Sequence, residues 1–239
     1  MSGPQCCENP PTLSSASGAG SIVQLGGLKS YVSGPSDAKH SLLLLSDTIG
    51  YEAPKLRKLA DKIAIAGFYV VVPDFFDGDY FDPANSEKPV SVWMKLHGQE
   101  KGIEDAKPVI ADLKNKGITA VGAAGFCWGA KVAVQLAISG HAQAAVLLHP
   151  YSVTVDDIKE INKPIAILGA ETDHSSPPEL LKQFEEILKS KPEVDSFVKI
   201  FPGVSHGWTV RYDEADEKVA KSAEEAHQDM LGWFVKYVK

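Results

Sequence analysis

Cys127 lies at the centre of Gly125-Phe126-Cys127-Trp128-Gly129, with a glycine two positions away on each side. This is the G-x-nucleophile-x-G spacing of a nucleophile elbow, with a thiol where a hydrolase more often carries a hydroxyl. The chemistry on offer is acyl transfer through a covalent thioester. At an elbow the nucleophile sits at the apex of a sharp strand-to-helix turn, and only small residues at the flanking positions let strand and helix approach closely. The amide of Trp128 then points from the helix N-terminus toward a reacting carbonyl oxygen, supplying half of an oxyanion hole. The partial positive charge of that helix end also favours a thiolate.

A thiol needs a base, and the base needs a carboxylate to fix its tautomer and stabilise its cation. In α/β-hydrolases the chain order is nucleophile, acid, histidine. Asp173 and His206 follow Cys127 in that order, each after an apolar strand pattern, at 165–168 and 197–201. Glu171 is the alternative acid. His149 also follows a strand pattern, 144–148, but precedes every candidate carboxylate; His174 adjoins the acid and is poorly placed to be oriented by it. His40, His97, His141 and His227 lie away from strand ends and read as surface or core residues.

The elements that must position these groups alternate along the chain. Strand patterns at 21–25 and 28–32 flank Gly26-Gly27, a two-residue hairpin signal. There follow strands at 41–45, 69–72, 118–124, 144–148, 165–168 and 197–201, and helices at 54–66, 102–116, 130–139, 179–190 and 215–236. Short, continuously apolar strands alternating with helices predict an α/β architecture, a mostly parallel central sheet with helices on both faces. In such sheets the ligand crevice lies beyond the carboxyl ends of the strands, where Cys127, Asp173 and His206 all fall. Residues 1–20, rich in Pro, Ser and Gly, read as an irregular arm, and 21–239 as one domain.

With 239 residues, 44% apolar content and a formal net charge of −7, the chain has a sizeable core and no basic footprint for nucleic acid or an anionic membrane. No apolar run is long enough to span a bilayer, and the first residues lack the pattern of a signal peptide, so a cytoplasmic protein is expected. Three cysteines, two of them adjacent at Cys6 and Cys7, make no disulfide framework. The expectation for Cys6-Cys7 is a solvated tail or local packing rather than acylation or metal binding.

Residues from about 27 to 238 resemble the dienelactone hydrolase family, in particular its eukaryotic carboxymethylenebutenolidase-like branch. The matching motifs are Asp47-Thr48-Ile49-Gly50, Pro73-Asp74-Phe75-Phe76-x-Gly78, the elbow, the acidic turn at Asp173, and His206-Gly207 with Arg211 beyond; Cys-Cys-Glu-Asn-Pro-Pro near the N-terminus resembles plant members. The resemblance implies an α/β-hydrolase fold and a Cys127-Asp173-His206 triad. It also implies that Asp47 is an acidic modulator of the thiol and that the Thr48 amide completes the oxyanion hole. Bacterial members carry glutamate where this chain has Asp47, and the shorter side chain leaves its reach open. Arg211 matches an arginine that binds a substrate carboxylate, with a surface ion pair to Asp213 or Glu214 as the competing role. A second substrate arginine has no match, since none occurs between Asp74 and Gly98. Phe75, Trp93 and Trp208 are candidates for the walls of an apolar pocket.

The expected activity is therefore hydrolysis of a lactone or small activated ester through a thiol acyl-enzyme, with no metal or organic cofactor. The expected partner is a small molecule, and the expected state a monomer or homodimer. Two other readings stay open: a glycoside hydrolase, because some plant proteins resembling this chain bear the name mixed-linkage β-glucanase, and a hydrolase-fold binding protein with little turnover.

Overall fold

The structure, a computed structural model, describes residues 17–239; Cys6, Cys7 and most of the expected N-terminal arm lie outside the described residues. Eight strands form one sheet: β1 (Ser21–Leu25), β2 (Leu28–Ser33), β3 (His40–Leu45), β4 (Tyr69–Pro73), β5 (Ala120–Phe126), β6 (Ala144–Leu148), β7 (Ile165–Thr172) and β8 (Ser196–Ser205). Their order is β1-β2-β4-β3-β5-β6-β7-β8. The β1–β2 and β2–β4 pairs are antiparallel and every other pair is parallel. The predicted mostly parallel sheet is thus the one observed.

Burial on both faces explains why the parallel strands read as unbroken apolar runs. In β3, Leu43 and Leu45 join one core layer, and Leu42 and Leu44 the other. The first layer is closed by α3 (Gln99–Asn115), α4 (Trp128–Ile138) and α6 (Pro178–Lys189), the second by α1 (Pro54–Ala64) and α7 (Glu217–Tyr237). Helices therefore cover both faces, and the carboxyl ends of the strands carry the loops.

Two short helices, α2 (Val90–Leu96) and α5 (Val155–Glu160), fall outside the sequence expectations. Seven and six residues give too few turns for a helical period to stand out, and α5 depends on a capping box between Thr154 and Asp157. Helix α3 begins at Gln99, three residues before the expected start, and runs through Gly102. A glycine there reads as a boundary in sequence, but its purpose is contact: a Cβ on Gly102 would overlap the indole of Trp128.

Strands β7 and β8 are each four residues longer at the carboxyl end than their apolar cores suggest. The extension is polar and partly exposed, which hides it from a search for apolar runs. It pairs Thr172 with Ser205 past an irregularity at 170–172, so Asp173 and His206 each directly follow a paired residue.

The turn from β5 into α4 is a tight junction. A Cβ on Gly129 would overlap the backbone carbonyl of Leu45 in β3, and one on Gly125 would overlap the backbone of Gly129 and Ala130. Gly129→Ala should therefore lower the unfolding free energy by about 2 kcal/mol or more, since the clash is with backbone and no side chain can move aside. Urea denaturation checks this; an unchanged midpoint would mean that α4 can shift without cost.

Candidate active site

Cys127 is the N-cap of α4 and has φ 49 and ψ −107, a positive φ that a residue with a side chain adopts only under constraint. The constraint is visible in its hydrogen bonds. Its amide donates to the Leu148 carbonyl at 3.1 Å, and its carbonyl accepts from Ala130 at 3.0 Å and from Tyr151 at 3.1 Å. The Gly129 amide donates to the Ser46 carbonyl at 3.2 Å, tying the first turn of α4 to the end of β3. The thiol, in no disulfide, is fully buried at the positive end of an 11-residue helix.

Asp173 and His206 meet as the chain order predicts: His206 Nδ1 lies 2.8 Å from Asp173 Oδ2, with both side chains sealed from solvent. The His206 amide donates to the Thr172 carbonyl at 3.1 Å, so the pair is one rung beyond the last paired residues of β7 and β8. Asp173 also accepts from the amides of Ser175 and Ser176 and from the Ser176 hydroxyl. Burial alone would raise its carboxyl, but the His206 hydrogen bond and charge, with the two serine amides, hold it below the usual carboxylate range. Glu171 is not part of this pair; its carboxylate accepts from the Gly203 amide at 2.6 Å at the exposed ends of β7 and β8.

A second buried pair lies close by. Arg211 Nε is 2.9 Å from Asp47 Oδ2, with each side chain 2% exposed, while Asp47 Oδ1 accepts from the Ile49 amide at 3.0 Å. The competing expectation of a surface ion pair between Arg211 and Asp213 or Glu214 is thereby corrected. The charged groups that sequence brings near one another in the loop are exposed, whereas Arg211 turns inward to a strand-end carboxylate 164 positions earlier in the chain. The Thr48 carbonyl accepts from Phe81 at 2.8 Å, holding the segment after β3 against the one after β4.

A cavity of about 300 Å³ is lined by His206, Trp208 and Arg211 together with Ser205, Tyr212, Asp213 and Asp216. Cys127 is not among its lining residues, and the His206 and Arg211 side chains are 0% and 2% exposed. Phe75 packs on Trp128 with ring centroids 5.7 Å apart. Trp93 is fully buried among Phe76, Phe81 and His97, its indole donating to the Asp79 carbonyl at 2.7 Å, and it lines neither this cavity nor the smaller one beside Trp128. Trp128 donates its indole N–H to the His97 carbonyl at 2.8 Å.

One neighbour of the base escapes the sequence reasoning. His149, with φ 39 and no exposure, places its ring 5.0 Å from that of His206 and 5.4 Å from that of Trp208. Its position at a strand end was a usable signal, but its place in chain order argued against it. Burial first, then the charges of His206 and Arg211, push its imidazole well below the ordinary histidine range.

The fold and this constellation define an α/β-hydrolase. The dienelactone hydrolase family profile matches residues 28–238, and the chain belongs to that family. A Zea mays protein named endo-1,3;1,4-beta-D-glucanase is 44% identical over 196 residues, 80% of this chain and 63% of its own length. The chain thus spans under two thirds of that relative. A Xenopus tropicalis carboxymethylenebutenolidase homolog is 31% identical over 92% of this chain and 91% of its own. Among solved structures, a dienelactone hydrolase-like promiscuous phosphotriesterase from metagenomic libraries superposes with a TM-score of 0.70 at 18% identity, covering 93% of this chain and all of the other, which shows the shared fold.

Two measurable consequences follow from the buried charges. Arg211→Met leaves Asp47 buried without its cation and should cost about 3 kcal/mol or more, while adding Asp47→Asn should recover part of the loss; denaturant midpoints of the single and double variants read this directly. His227, whose ring bonds the Thr209 carbonyl at 2.8 Å, is pushed by burial from its ordinary 6.5 down to about 4. The unfolded chain therefore binds this proton at a pH where the folded one does not, so stability is full above about pH 6.5 and falls as pH drops toward 4. The contribution is at most about 3 kcal/mol. His227→Gln should flatten that part of the pH–stability curve; an unchanged slope would locate the titration elsewhere.

Proposed function

We propose that this protein is a cysteine-dependent hydrolase of lactones or small activated esters, acting through Cys127, His206 and Asp173. The observation that carries the reading is the buried Asp173–His206 couple at 2.8 Å, set one rung beyond paired strands and at the same sheet end as a strained elbow thiol. His206, its Nδ1 engaged by Asp173, takes the thiol proton on Nε2, and the Cys127 sulfur attacks the substrate carbonyl. The amides of Thr48 and Trp128 hold the oxyanion. Collapse expels the alkoxide or enolate, which takes the proton back from His206, leaving a thioester. Water, deprotonated by His206, then attacks the thioester; the acid is released and the thiol restored. Each step is written without a metal or organic cofactor.

Because thiolate is itself a good leaving group, esters and lactones with an acidic enol or phenol leaving group suit this site better than amides. Arg211 is already committed to Asp47, so a substrate carboxylate would bind it only by displacing that partner. Phe75 and Trp208 supply apolar surface near the site, and Trp93 supports it from below. Small-molecule esters or lactones are the partners of this reading, in the cytoplasm, for a monomer or homodimer; among the described residues no helix is long and apolar enough to cross a membrane.

The name of the Zea mays relative raises glycoside hydrolysis as a second reading, which needs a protonated carboxylic acid and a second carboxylate. Asp173 is held below the usual carboxylate range, and Asp47 is paired with Arg211. Burial does raise Asp74, but its two oxygens accept from the amides of Phe76 and Gly78, a turn role. The thiol reading accounts for the elbow, and the glycosidase reading does not.

Cys127→Ala should lower kcat/KM on 4-nitrophenyl acetate by roughly a thousandfold or more, and the wild-type protein should show an acyl adduct by intact mass that the variant lacks. Full activity in Cys127→Ala would overturn the mechanism, and reducing-sugar release from β-glucan that survives the substitution would favour the glycosidase.

A further inference from the structure

The loop that carries the base is braced from beneath by two histidines that the proposed cycle does not use. His149 Nε2 and the Thr209 hydroxyl share a hydrogen bond of 2.8 Å, and His227 Nε2 bonds the Thr209 carbonyl at the same distance. Thr209 is fully buried and sits three residues after His206, within a tight turn in which Trp208 bonds back to Ser205, and Val210 and Arg211 bond back to Gly207. One side chain from β6 and one from α7 thus grip a single residue of the turn that presents His206.

Sheet order gives His149 its leverage. Strands β5, β6, β7 and β8 are consecutive neighbours, and they are followed directly by Cys127, His149, Asp173 and His206 respectively. Hydrogen bonds continue past the strand ends: Cys127 donates to Leu148, and His149 donates to Leu168 at 2.9 Å. His149 therefore occupies the rung between the strand that carries the nucleophile and the one that carries the acid. Its ring meets His206 edge to face, at 65°. Its backbone φ of 39 is held by that rung and aims the ring inward.

We propose that His149 is a positioning residue for the base: through its bond to Thr209 and its ring contact, it keeps His206 aligned between Asp173 and Cys127. This rests on the hydrolase reading above. An imidazole does what neither a phenyl nor an alkyl group does there, since it packs as an aromatic ring and still satisfies the buried Thr209 hydroxyl. It does so without adding a charge next to the base. The groups facing the His149–His206 contact are Asp173 after β7, Arg211 beyond the turn with its partner Asp47 after β3, and His227 on α7.

The test compares His149→Ala, His149→Phe, Thr209→Val and Thr209→Ser with wild type in two assays. The first is kcat and KM on 4-nitrophenyl acetate. The second is the pH dependence of Cys127 alkylation by iodoacetamide, read by intact mass, which reports the thiol–base pair without any turnover. For His149→Ala and Thr209→Val, kcat should fall about tenfold or more with KM changed less than about threefold. The alkylation midpoint should move up by about half a pH unit or more, toward the value of roughly 8.5 of a free thiol, as the thiolate loses its aligned cation. Thr209→Ser restores the hydroxyl and should restore both readouts, and His149→Phe, which keeps the ring but not the hydrogen bond, should fall between. If His149→Ala does not fold, Thr209→Val and His149→Phe carry the comparison. Wild-type kcat and alkylation midpoint in both of those variants, even with a lowered melting temperature, would overturn the proposal by making His149 a packing residue only. Failure of the hydrolase reading looks different: turnover would survive Cys127→Ala while the alkylation midpoint still responded to Thr209→Val.

Discussion

The backbone of Cys127 is where the molecule's constraints converge. Its amide is bound to β6, its carbonyl to α4 and to the segment after β6, and the amide two residues on is bound to the end of β3. A residue with φ 49 and ψ −107 is stable only because several elements hold it at once. Those same bonds require α4 to lie so close to β3 that Gly129 admits no side chain. The placement of the thiol at the helix end and the close approach of α4 to β3 are consequences of one turn.

Asp173 and His206 are placed by a different device. Asp173 and His206 are 33 residues apart, yet each follows directly on one partner of the Thr172–Ser205 pair. Their separation is therefore set by strand pairing, which is rigid, rather than by two loops, which are not. The glycine-rich elbow and the extended β7–β8 ladder are brought together by sheet order alone, through β6. His149 at the end of β6 fills the gap between them.

Much of this is legible in the sequence because it is local or periodic. The elbow is five consecutive residues, the parallel strands are apolar on both faces, and nucleophile, acid and base appear in chain order at strand ends. What stays hidden is long-range. Nothing near Arg211 announces that its partner is Asp47 rather than Asp213, because the choice depends on which charges end up buried. Chain order set His149 aside, but chain order is not sheet order, and the rung between Cys127 and Asp173 becomes apparent only once β5 to β8 are placed side by side. Helices α2 and α5 are too short to leave a period, and the polar extensions of β7 and β8 are held by pairing rather than by burial.

Two carboxylates buried at one end of the sheet would be costly unless each were closed by its own partners. Asp173 closes on His206 and the amides of Ser175 and Ser176; Asp47 closes on Arg211 and the Ile49 amide. Burial first, then the charges of His206 and Arg211, disfavour protonation of the neighbouring His149, and Asp47 pairs with that arginine. The short side chain at this position suffices because the length is supplied by the arginine, which turns inward from the 205–211 turn to a carboxylate already anchored by Ile49. The pair therefore ties the turn that carries His206 to the end of β3, the strand next to the one that leads into the elbow.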